Sequence, residues 1–116
     1  MEDRQQGIST AAADIDGLHN KAMIGLTIFR LRIKGRVQGV GYREWAIAEA
    51  AARGLDGWIR NRSDGSVEML IAGPDESIKD MLGACTQGPE AAQVENIDIN
   101  NETEPPPLGF ARKPTL

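Results

Sequence analysis

The chain has a single cysteine, Cys85, and a single histidine, His19, in 116 residues. One cysteine forbids an internal disulfide and makes a reducing cytoplasm the simpler inference. With no pair of cysteines or histidines at ligand spacing, the sequence offers no candidate metal site. His19 falls in residues 1–25, a stretch without periodicity that reads as a flexible N-terminal extension or an upstream start, with Met23 as an alternative beginning. A histidine general base is therefore not expected. No apolar run approaches the roughly 20 residues that span a bilayer. Met1 to Gly7 are charged and polar and lack the apolar segment of a signal peptide. These absences point to a soluble cytoplasmic protein without a membrane partner.

What is present is ordinary in amount and uneven in distribution. A hydrophobic content of 41% in this length suffices for one domain with its own core. The net charge of −4 hides an asymmetry. Between Leu26 and Arg62 eight Lys/Arg face three acids, a local +5 against −9 for the rest. A basic half favours an anionic ligand there, and the acidic remainder argues against a broad nucleic-acid surface.

Periodicity becomes clear at Thr27. Phe29, Leu31 and Ile33 alternate with Arg30, Arg32 and Lys34, which predicts a strand with one buried face. Tyr42 to Arg53 reads as a helix whose apolar face is mostly alanine, with Gly54 as its stop. Leu55 to Arg62 reads as a second strand, Ser63-Asp64-Gly65 as a hairpin turn, and Ser66 to Ala72 as a third strand. Pro74, Asp75 and Glu76 open a second helix, on which Ile78, Met81, Leu82 and Cys85 form an i, i+3, i+4, i+7 stripe. Cys85 is thus expected to be a core residue. Gln93 to Asn101 reads as a fourth strand. Pro105-Pro106-Pro107 makes a stiff connector, and Phe110 to Lys113 reads as a short final edge strand. The order β-α-β-β-α-β predicts an α+β fold of the ferredoxin-like kind, an antiparallel sheet with two helices on one face.

Between the first strand and first helix lie Gly35-Arg36-Val37-Gln38-Gly39-Val40-Gly41-Tyr42-Arg43. Three glycines in seven residues allow close approach to the backbone. Amide N–H groups at the start of a helix suit an anion, and an arginine there adds a permanently charged planar fork. Spacing excludes two nucleotide motifs. A Walker A loop ends in Gly-Lys-Ser/Thr, whereas this one ends in Gly41-Tyr42-Arg43; a dinucleotide fingerprint needs glycine where Glu44 stands.

The same nine residues match the acylphosphatase signature G-R-V-Q-G-V-x-(F/Y)-R at every fixed position. Gly57-Trp58-Ile59-Arg60-Asn61-Arg62-Ser63-Asp64-Gly65-Ser66-Val67 resembles that family's second block, G-W-V-x-N-x-x-D-G-x-V, with isoleucine for valine. Gly88-Pro89-Glu90-Ala91-Ala92-Gln93-Val94 resembles a weaker third segment. The resemblance covers about residues 26 to 100. It implies hydrolysis of acyl phosphates, the mixed anhydrides of a carboxylate and phosphate, with no metal and no cofactor. Carried over by position, the backbone amides of Arg36, Val37, Gln38, Gly39 and Val40 would cradle the phosphoryl oxygens. Arg43 would bind them through its guanidinium, and Asn61 would orient the attacking water. Tyr42 and Trp58 would be core or pocket-wall residues, and the Arg36 side chain would face solvent. We expect residues 26–116 to form the acylphosphatase-like domain, a monomer acting on a small-molecule acyl phosphate, with inorganic phosphate as product and inhibitor.

Two other readings compete. One is a binding module with an idle anion site, RNA included, though the first and third strand stretches lack the aromatic pairs on which an RNA-recognition sheet stacks bases. The other is an acylphosphatase-like domain of a larger carbamoyl-transfer enzyme, whose zinc-finger and transferase regions this chain does not show.

Overall fold

The computed structural model describes residues 26–116. The readings placed on residues 1–25, including the flexible extension, His19 and Met23, lie outside the described residues. β1 (Leu26–Arg36) carries the predicted alternation: Leu31 and Ile33 are fully buried, with Phe29 packed beside them. α1 (Tyr42–Ala52) follows the glycine loop, and β2 (Asp56–Asn61) and β3 (Val67–Pro74) form the central hairpin. α2 (Asp75–Gln87), β4 (Gln93–Asn101) and a three-residue β5 (Phe110–Arg112) complete the chain order.

The strands make one sheet in the order β4-β1-β3-β2-β5. β1 pairs antiparallel with both β3 and β4, and β2 pairs antiparallel with β3. The last strand, β5, runs parallel to β2, with Ile59 opposite Arg112. Beyond it the tail stays alongside β2: the Lys113 N–H donates to the Ile59 carbonyl, and the Leu116 N–H to that of Asn61. The fold is the predicted ferredoxin-like α/β sandwich.

One face of the sheet meets both helices. Ile59, Val67, Met69 and Ile71 pack there against Ala46 and Ala50 of α1 and Ile78, Met81 and Cys85 of α2. The alanines let α1 lie close to the strands, and each buried aliphatic chain contributes about 1.5–3 kcal/mol. Gly35 sits where β1 shifts register against β4, with φ 125. A Cβ there would collide with the Gln93 carbonyl oxygen, so only glycine permits the kink that turns the chain toward the loop.

The opposite face holds what the alternation did not foretell. Glu68 points away from the helices yet is only 2% exposed. Its Oε1 accepts hydrogen bonds from Arg60 Nε at 2.8 Å and Arg62 Nη1 at 2.9 Å, and its Oε2 from Arg30 Nη1 at 2.8 Å. Trp58 is buried here with Ile28, Leu70 and Ala72, beneath Lys113 and Arg60 at 4.6 and 4.8 Å from its ring centre. It is a core residue of this second cluster, not a wall of the loop's concavity.

The local positive charge is therefore largely consumed. Arg30, Arg60 and Arg62 meet Glu68, while Arg32 meets Asp64, Lys34 meets Asp98, and Arg53 meets Glu49 and Asp80. Of the eight basic residues between Leu26 and Arg62, Arg36 and Arg43 alone make no ion pair with a described residue.

Burial opposes ionisation of Glu68, but the hydrogen bonds and charges of its arginines prevail and hold its carboxyl below the usual range. A carboxylate with a lowered folded pKa stabilises the fold fully above its unfolded value, about 4.3. That contribution disappears as pH falls from there through the folded value. Glu68→Gln should destabilise by about 2 kcal/mol at pH 7, between an exposed and a fully buried pair. Thermal melts from pH 7 to pH 3 should show the wild type losing this margin on acidification, with a flatter profile in the variant.

Candidate active site

The loop after β1 is held at both ends and in the middle. Val37 is 1% exposed and belongs to the main core, and Val40 packs against that core. Between them the Gln38 side-chain amide donates through Nε2 to the carbonyls of Arg62 and Ser66, each at 2.8 Å. Those carbonyls flank the β2–β3 turn, so one side chain fastens the loop to the end of the strand that carries Asn61.

α1 starts without a side-chain cap. Gly41, its N-cap, has φ 82 and ψ 16, a left-handed conformation that glycine enters at little cost. The Gly41 carbonyl accepts the first helical bond, from Trp45 at 3.0 Å. The N–H groups of the first turn have no intrahelical acceptor and carry the positive end of the helix dipole. They open on a concavity of about 220 Å³ lined by Val37, Gln38, Gly39 and Gly41 on the loop side. Arg43, from the first turn of α1, lies on its wall half-buried.

Asn61 reaches the same concavity from the end of β2. Its Oδ1 is buried and has no hydrogen-bond partner. A buried amide oxygen left unmatched costs about 1–3 kcal/mol unless water or a ligand supplies the donor. The site thus joins a cation, open N–H donors and one unsatisfied acceptor around a space of small-molecule size. Of the other residues expected here, Val40 supports the loop from the core side. The exposed Arg36 side chain lies at the end of β1 and does not line the concavity.

Three contributors were not foreseen. The Gln38 side chain was expected to offer mainly its backbone. Glu44 and Arg112 also line the concavity, and Arg112 Nη2 lies 3.5 Å from Glu44 Oε2. Parity held a faint signal for Arg112. Phe110 packs inward against the main core, so the residue two positions later falls on the helix-facing side.

Tyr42 forms both wall and core: it is 1% exposed, and its hydroxyl donates to the Cys85 carbonyl at 2.8 Å. Cys85 is a buried free thiol, as its place in the apolar stripe predicted. Among the described residues no cluster of three or more His, Cys, Asp or Glu is arranged to hold a metal ion.

A family model described as acylphosphatase matches residues 29–111, from within β1 to within β5. The chain belongs to the acylphosphatase family. A curated acylphosphatase from Rhizorhabdus wittichii is 45% identical over 87 residues, covering 75% of this chain and 88% of that protein. One from Rhodospirillum rubrum is 45% identical over 86 residues, covering 74% and 94%. Among solved structures, an acylphosphatase from Coxiella burnetii superposes with a TM-score of 0.77 at 28% identity, over 80% of this chain and 98% of that one. Within this acylphosphatase fold the loop and Asn61 are juxtaposed by the β1-β3-β2 order of the sheet.

Burial pushes the Cys85 thiol up to about 11, so its reactive thiolate is scarce at neutral pH. Folded protein should react with a thiol-specific chromogenic disulfide at least about 10²-fold more slowly than denatured protein. Comparable rates in the two states would contradict the placement of Cys85 in the core.

Proposed function

We propose that this acylphosphatase-family hydrolase cleaves acyl phosphates at phosphorus, with water as nucleophile and without a bound metal, and that residues 26–116 are the working unit. The observation that carries the reading is Asn61, which lines the same concavity as Arg43 and the uncapped start of α1 and whose buried side-chain oxygen has no hydrogen-bond partner. An anion site alone needs no such acceptor. A water molecule, with two hydrogens to donate, satisfies it.

In this reading the phosphoryl oxygens rest on the backbone amides of Arg36 to Val40, and Arg43 binds them through its fork of N–H donors. Asn61 accepts one hydrogen of the water and leaves an oxygen lone pair directed at phosphorus. The new P–O bond forms as the bond to the carboxylate oxygen breaks. Charge spreads over the equatorial oxygens, where fixed donors stabilise it most. The carboxylate departs without a proton because its acid is already ionised at neutral pH. The water's proton ends on phosphate or in solvent. An amide is an acceptor and no base, and with so good a leaving group none is required. The products are a carboxylate and inorganic phosphate, the latter a competitor for the same donors.

The ion pairing of the basic half supports a small-molecule partner over nucleic acid. Six of those eight cations already neutralise acids of the same chain, leaving no basic stripe among them to track a phosphate backbone.

Benzoyl phosphate should be hydrolysed in the presence of chelator, with inorganic phosphate inhibiting competitively. Arg43→Ala should lower kcat/KM by at least about 10²–10³, the loss seen for one preorganised donor. Asn61→Ala should lower kcat far more than it weakens phosphate inhibition. Folded protein with no activity would reject the proposal. An Asn61 variant that loses phosphate binding but keeps kcat would reject the assigned role.

A further inference from the structure

Nothing in the signature blocks accounts for Arg112. It comes from β5, opposite Ile59 in register, and so lies on the helix-facing side of the sheet, beside the strand that ends at Asn61. It lines the concavity from the edge strand that lies beyond β2 in the sheet. Its only acidic partner among the described residues is Glu44, at 3.5 Å, with the two side chains 43% and 81% exposed. A pair this long and this wet is weak and readily exchanged. The concavity therefore holds two arginines with different standing. Arg43 has no acidic partner among the described residues and sits beside the open helix N-terminus. Arg112 has a loosely held acid that an incoming anion can replace.

We propose that Arg112 is a specificity-determining residue that reads the charge of the acyl group. Building on the hydrolase reading above, the phosphoryl group occupies the loop and Arg43, and the acyl chain runs toward β5. A neutral acyl chain leaves Arg112 on Glu44. An acyl chain ending in a second anionic group takes the guanidinium from Glu44 and forms charge-assisted, bidentate hydrogen bonds with it. The concavity of about 220 Å³ takes the phosphoryl group together with a short chain of this kind. The favoured class is the monoacyl phosphates of short dicarboxylic acids, and acyl phosphates bearing a second phosphate share the same chemistry. Glu44 is then a competitor that leaves neutral substrates unaffected and sets how strongly anionic ones are preferred.

The test compares succinyl phosphate with butyryl phosphate, which match in chain length and differ in the terminal charge. Wild type should favour succinyl phosphate by about tenfold in kcat/KM, the scale of a charged hydrogen bond less a displaced exposed pair. Arg112→Gln should bring the ratio close to one, chiefly by raising KM for succinyl phosphate. Glu44→Gln should enlarge the ratio, and it provides an independent arm should Arg112→Gln fold poorly. A glyceroyl phosphate carrying a second phosphate, run in parallel, separates carboxylate from phosphate preference, and loss of either preference in Arg112→Gln supports the proposal. Hydrolysis of both substrates with a ratio that neither variant changes would overturn this inference alone. Absence of hydrolysis of either by folded protein would overturn it together with the hydrolase reading.

Discussion

The two hydrogen bonds from the Gln38 amide to the Arg62 and Ser66 carbonyls hold the site together. They join two elements that the chain separates by more than twenty residues: the glycine loop after β1 and the turn after β2. Everything proposed for this site requires donors on the first element and an acceptor on the second to face one space. Strand order brings the elements near each other, but a sheet alone leaves a glycine loop free to move. The clamp fixes the loop to the strand end, and Val37 and Val40 anchor it from below. Preorganised donors of this kind are effective because they need no rearrangement as charge develops.

The sheet separates stability from chemistry by face. Toward the helices lie the apolar core and, at its rim, the concavity. Away from them, Glu68 gathers three arginines and Trp58 shelters beneath Lys113 and Arg60. This arrangement has a consequence for the site. Cations that would otherwise crowd the domain with positive charge are neutralised across the sheet from Asn61. The field in the concavity is then governed by Arg43, Arg112, Glu44 and the helix start, a small set in which each member has a definable effect.

Much of this was legible in the residues. Alternation gave β1, the Asp64-Gly65 turn gave the hairpin, and the Ile78-Met81-Cys85 stripe gave α2 and the fate of the cysteine. The signature blocks gave Arg43 and Asn61 as candidates, and both line one cavity. What could not be read depends on distances across the sheet. Glu68 occupies an outward position in its strand, and an outward glutamate ordinarily faces water; only the registers of β1 and β2 show the arginines above it. The Gln38 clamp needs the location of two carbonyls, which no side-chain pattern encodes. Arg112 lies in a strand of three residues behind three prolines, where parity with Phe110 leaves only a faint signal of its face. The basic half of the chain favoured an anionic ligand there, yet most of its charge is internal because pairing partners come from distant acids.

The central claim is that water, held by Asn61, attacks phosphorus while the loop and Arg43 hold the phosphoryl group. Hydrolysis of benzoyl phosphate in ¹⁸O-enriched water with chelator present tests it most directly, with the products analysed by mass spectrometry. Attack at phosphorus places the label in inorganic phosphate and none in benzoate. Label in benzoate would mean attack at the acyl carbon, and the assigned geometry of the site would be wrong.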